Sequence, residues 1–138
     1  MVLGVKKLRL ARKLIRTDAD IKAAVRAWGG QWGPDSQYKP YCYHRADPVR
    51  AEKVYGHISQ WDTEQVTSMR QLFQYMVEFN GDISRWRVHN VRDMESMFHS
   101  AKSFDQNLSQ WAVPLGLGLG LGLGLGLGLG LGLSLIHI

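Results

Sequence analysis

GHISQWDT (residues 56–63) is followed 25 residues later by GDISRWRV (residues 81–88), and NLSQWAV (residues 107–113) opens the series a third time. The same shift carries Trp61 to Trp86 to Trp111, Ile58 to Ile83 to Leu108, and Ser59 to Ser84 to Ser109. It also carries Val66 to Val91, Met69 to Met94, Leu72 to Met97, Phe73 to Phe98 and Phe79 to Phe104. No insertion or deletion interrupts the register. A fixed period of this length is the mark of a repeat architecture, in which each unit is too small to bury its apolar face alone.

Within one unit, Val91, Met94, Met97 and Phe98 are spaced i, i+3, i+6, i+7, which predicts a short helix over residues 90–101. Ile83, Trp86 and Val88 lie in a shorter segment of β-favouring types, which predicts a short strand. The expected fold class is therefore α/β, a leucine-rich-repeat-like solenoid of short strand plus short helix units. In such a stack Trp61, Trp86 and Trp111 form an aromatic ladder, and Ser59, Ser84 and Ser109 bridge neighbouring coils through their hydroxyls.

Upstream, Ile21, Ala24, Val25 and Trp28 form an apolar helical stripe. Thr17 or Asp18 is placed to cap it, and Gly29-Gly30 to stop it. Gly33-Pro34, Lys39-Pro40 and the polar residues around them make Gln31–Arg45 a loop. Asp47-Pro48 reads as an N-cap followed by proline at the first helical position, opening a helix that runs to Tyr55. Residues 17–55 are thus expected to be a helical N-terminal cap with an inserted loop, and residues 56–113 the repeat region.

The two ends differ in kind. Residues 1–16 contain six of the 17 Lys and Arg residues and no acid. They read as a basic, disordered leader, with anionic-surface or nucleic-acid binding as the functional alternative. Their basic residues are not followed by an apolar run long enough for a secretory signal. Residues 114–138 are a low-complexity tail whose core is nine Leu-Gly pairs at 115–132. Glycine at alternate positions argues against both a strand and a membrane span. The closing LSLIHI equals the translation of a sequencing-library adapter, so the tail reads as an artefact of simple-sequence DNA.

The strings at residues 56–63 and 79–86, with NVRDMESMFHSAKSF at 90–104, resemble the BspA-type leucine-rich repeat family. Its unit runs roughly Phe-Asn-x-Asp-Ile-Ser-x-Trp-Asp-Val, and Arg87 and Ala112 stand here where it has Asp. The Asp18–Trp28 helix resembles the leading cap often found before these repeats. The resemblance implies a surface-displayed or secreted module that binds a protein or glycan, and it brings no catalytic residues.

The residues themselves point the same way. There is no phosphate-binding glycine loop, no zinc-protease pattern and no nucleophile elbow, so neither enzymatic activity nor a cofactor is expected. Cys42 is the only cysteine, and with His44 it lacks partners at metal-ligand spacing. In repeat proteins the framework positions carry the fold and the changing positions carry recognition. Between the first and second units Gln60 becomes Arg85, Asp62 becomes Arg87, Glu64 becomes His89 and Thr67 becomes Arg92. The candidate partner-binding residues are therefore Gln60, Asp62, Glu64, Arg85, Arg87, His89 and Arg92. Self-association through an uncapped end of the stack is the further expectation.

Overall fold

A computed structural model describes residue 9, residues 12–34 and residues 40–111. The expectations for residues 1–8 and for the tail at 114–138 lie outside the described residues. The elements are helix α1 (Ile21–Gly29), strands β1 (Gln31–Pro34) and β2 (Pro40–His44), helix α2 (Pro48–Tyr55) and a 3-10 turn at Ile58–Gln60.

Helix α1 buries Ile21, Ala24 and Val25 against the repeat region, as its stripe requires. It starts later than expected, because neither Thr17 nor Asp18 is its cap. The Asp18 carboxylate instead accepts from the Thr67 and Ser68 backbone N–H groups, at 2.8 and 3.3 Å. Helix α2 begins as its sequence demands, with Asp47 accepting from the Arg50 N–H at 3.0 Å and proline in the first turn. It ends at Gly56, whose φ of 77° suits glycine, and where a Cβ would lie 2.3 Å from Leu14 Cδ2.

Gln31–Arg45 is not simply a loop. β1 and β2 pair antiparallel, with Gln31 opposite His44 and Pro34 opposite Pro40. The prolines stand at the ends of the pairing, where a missing N–H is tolerated. The β-favouring run Tyr41-Cys42-Tyr43 supplies the segment that the glycine and proline signals concealed.

The strand-plus-helix solenoid expected for the repeats is not what forms. Among the described residues, 56–111 contain no strand and no α-helix. They contain the 3-10 turn, successive turns and bends, and one isolated bridge, Ser68 to Asp93. The physical reason lies in the spacing of the core. The buried positions Val66, Met69, Leu72 and then Phe73, Met76, Phe79 recur in threes, as do Val91, Met94, Met97 and Phe98, Ala101, Phe104. A step of three suits turns closed by i to i−3 bonds, and those are present: Leu72 to Met69, Gln74 to Gln71, Met76 to Phe73, then Met97 to Met94 and His99 to Ser96.

The alternate N–H groups leave the unit altogether. Met69, Gln71, Phe73 and Tyr75 donate to the carbonyls of Asp93, Glu95, Met97 and His99 at 2.8–2.9 Å. An α-helix would have spent all of these donors internally. The path also turns through left-handed backbone at Gln71 and Tyr75, and again 25 residues on at Ser96 and Ser100, with φ between 56 and 63°. Each non-glycine residue there costs on the order of 1 kcal/mol, so no helix continues through it.

The core is aromatic and follows the repeat. Phe73 stacks on Phe98 at 5.5 Å and 2°, Phe79 on Phe104 at 6.1 Å and 5°, and Trp61 on Trp86 at 5.8 Å and 17°. The indole N–H of Trp86 donates to the Ile58 carbonyl and that of Trp111 to the Ile83 carbonyl, each 28 residues back. The serines do not bridge coils as expected. Ser84 bonds Asp82 and Ser59 bonds His57, each two residues away inside its own unit.

The last residues of the basic leader are part of this structure. Ile15 forms a parallel bridge with Asp62, and Arg16 is only 3% exposed. The Arg16 guanidinium lies 4.9 Å from the centroids of both Tyr55 and Trp61. A cation stacked on two rings is fixed, not disordered, so the expectation of a disordered leader fails for residues 12–16.

Candidate functional site

Gln60, Asp62, Glu64, Arg85, Arg87, His89 and Arg92 are all exposed. The stacking register places like positions of the two units side by side, and three of the seven then meet. Glu64 Oε2 lies 3.2 Å from Arg87 Nη1, and Glu64 Oε1 lies 3.8 Å from His89 Nε2. Asn90 ties the same spot, donating to the Glu64 carbonyl at 2.8 Å. Asp62 turns inward on its own segment, its Oδ1 accepting the Glu64 N–H at 3.0 Å. The side chains of Gln60, Arg85 and Arg92 have no hydrogen bond or ion pair among the described residues.

A second charged column was visible in the sequence as the exchange of Arg70 for Glu95. Arg70 Nη1 reaches Glu95 at 2.6 Å and Asp93 at 3.4 Å. Charges of opposite sign at equivalent positions thus pair across the units. Each group is about half exposed, so such pairs contribute little stability, and they hold the side chains in one arrangement.

Side chains missed by the sequence reading work at the N-terminal flank. Thr67 donates its hydroxyl proton to Asp18, and together with the Thr67 and Ser68 N–H groups this holds the Asp18 carboxyl below its ordinary pKa of 3.8. Burial lowers the Arg16 pKa, opposed by the charges of Asp20 and Tyr55. Arg16 Nη1 has no partner among the described residues. No spacing rule announces these contacts, because Asp18 and Thr67 are 49 residues apart.

Two hollows flank the repeats. One, of about 760 Å³, lies against α2 and includes His44, Arg45, Asp47, Arg50 and Val54. The other, of about 330 Å³, lies between the end of α1 and the turn at residues 78–82. Among the described residues no group of His, Cys, Asp and Glu is arranged to hold a metal ion, and no helix is long and apolar enough to cross a membrane. Cys42 pairs through its backbone with Trp32 in the hairpin, and His44 is exposed.

The repeat, the reach-back tryptophans and the stacked phenylalanines define a repeat-built domain. Residues 49–115, just under half of the chain, match the family described as Mycoplasma protein of unknown function, DUF285. The repeat region is similar to that family in its sequence. No curated protein and no solved structure matches the chain.

Proposed function

We propose that the chain is a non-enzymatic repeat module that binds a protein or glycan at a cell surface, as one segment of a longer BspA-like surface protein. The observation that carries this reading is the division of labour inside the 25-residue unit. Buried positions keep their character, while exposed positions on the same register change sign and size. Gln60, Arg85 and Arg92 are the residues we assign to direct contact, since Glu64, Arg87 and His89 engage one another across the units. The match to a family of unknown function supports the repeat class and adds no activity.

The test compares the full chain with its Gln60→Ala, Arg85→Ala, Arg92→Ala triple variant, both immobilised and exposed to a cell-surface extract. A protein or glycan retained by the native chain and reduced at least about tenfold by the variant supports the reading, the loss expected when a contact cluster is removed. Equal retention by both, or none by either, refutes it. Salt-dependent capture of a nucleic-acid duplex instead would replace it with the anionic-partner reading.

A further inference from the structure

The hollow of about 330 Å³ beside the end of α1 has a chemistry at odds with the rest of the molecule. The chain carries a formal charge of +5, yet this lining contains no Lys and no Arg. Its walls include the rings of Trp28 and Phe79, and its charged groups are the carboxylates of Glu78 and Asp82. Gly81 shapes the floor: a Cβ there would stand 2.8 Å from the Phe79 ring, so space against that ring requires glycine.

Both carboxylates keep capacity for a ligand. Asp82 uses one oxygen, Oδ1, to accept the Ser84 N–H at 3.0 Å and the Ser84 hydroxyl proton at 2.6 Å. Its Oδ2 has no hydrogen bond among the described residues. The Ser84 bonds keep Asp82 ionised below its ordinary pKa, with smaller help from Arg85 and His57. Glu78 is exposed and forms no ion pair among the described residues. His57 shares the lining, its ring 5.1 Å from that of Trp28 and at 71° to it.

We propose that this hollow binds the guanidinium group of an arginine side chain on a partner polypeptide. A planar cation is the group that both features recognise, stacking on an aromatic ring and forking toward a carboxylate. An anion would face two carboxylates. A metal ion lacks a ligand set among the described residues. The site is separate from the exposed repeat positions assigned to partner contact above, so either assignment can fail alone.

The test titrates the full chain with N-acetylarginine amide, following the Trp28 indole and Gly81 amide signals by NMR. N-acetylcitrulline amide, the same shape without the charge, is the control. Asp82→Asn keeps an acceptor for Ser84, as Asn107 does for Ser109 in the next unit, and Glu78→Gln changes an exposed side chain. The expected result is saturable shifts at both signals with the arginine probe, with at least about tenfold weaker binding for citrulline and for the double variant. Three results overturn the proposal. They are no shift at either signal up to about 50 mM probe, equal binding of citrulline, and unchanged binding by a double variant whose spectrum shows it folded.

Discussion

The first repeat unit has two sets of neighbours, and they are made of different material. Toward the second unit, the Thr67 carbonyl accepts the Arg92 N–H at 2.7 Å. Toward the N-terminal segment, the N–H of Thr67 itself meets the Asp18 carboxylate. Asp18 thus stands where a preceding unit would place a backbone carbonyl. The same substitution recurs at Asp62 and Arg87. The Asp62 backbone pairs with the Leu14 carbonyl and the Arg16 N–H, both at 2.8 Å. The Arg87 backbone uses the Thr63 hydroxyl for both roles, accepting its N–H and donating to its carbonyl at 2.8 Å. At the ring level, Trp61 has the Arg16 guanidinium and Trp86 as stacking partners. A flank need not be a repeat. It needs only to present donors, acceptors and a flat cation in the repeat's register.

That equivalence can be broken most severely at Arg16. Arg16→Ala removes a buried stem and a cation from two rings and should lower unfolding free energy by about 3 kcal/mol in urea titration. Arg16→Met keeps the stem and discards a buried donor that has no partner, so its cost should be about 1 kcal/mol. Equal losses for the two variants would mean that charge, not packing, joins the flank to the repeats. On the unit-to-unit side, Thr63→Val keeps the shape of a fully buried residue and unpairs both backbone groups of Arg87. A loss of about 2 kcal/mol is expected, with faster hydrogen exchange at the Arg87 amide. A neutral result would show that this hydroxyl does not join the units.

The smallest effect sharpens the comparison through pH. Asp18 has a depressed pKa in the folded chain, so its contribution is present above the ordinary 3.8 and is lost as pH falls through the lowered value. Asp18→Asn should cost about 1 kcal/mol near pH 6, where the charge-assisted bonds are complete. Native and variant midpoints should converge below about pH 3. A gap that stays constant across this range would show that the carboxylate's charge is irrelevant and only its acceptor geometry matters.

The legibility of the chain follows which physics is periodic. The 25-residue shift exposed the Trp, Phe and Met positions that form the core, because burial repeats wherever the unit repeats. It did not reveal the backbone path. The spacing of Val91, Met94, Met97 and Phe98 fits 3.6 residues per turn and 3.0 equally well over so short a run, and the left-handed turns at Ser96 and Ser100 carry no glycine to announce them. The cross-unit charges were visible as sign changes at Glu64, His89, Arg70 and Glu95, and only the stack showed that they face each other. Arg16 was hidden in a basic run, where one buried arginine looks like its solvated neighbours. The hollow at Glu78 and Asp82 joins residues from α1 and two successive units, a combination that no local motif records.

The reach-back of the indoles has a consequence for how such a chain grows. Trp86 and Trp111 each draw their acceptor from the unit before, and Trp61 takes one from Gly56 in its own turn. A duplication of 25 codons therefore delivers each new tryptophan to a carbonyl already in place. Lengthening by whole units asks nothing new of the first. A duplication of any other length would leave an indole N–H facing the wrong atom, so at the level of the gene this hydrogen bond acts as a ruler.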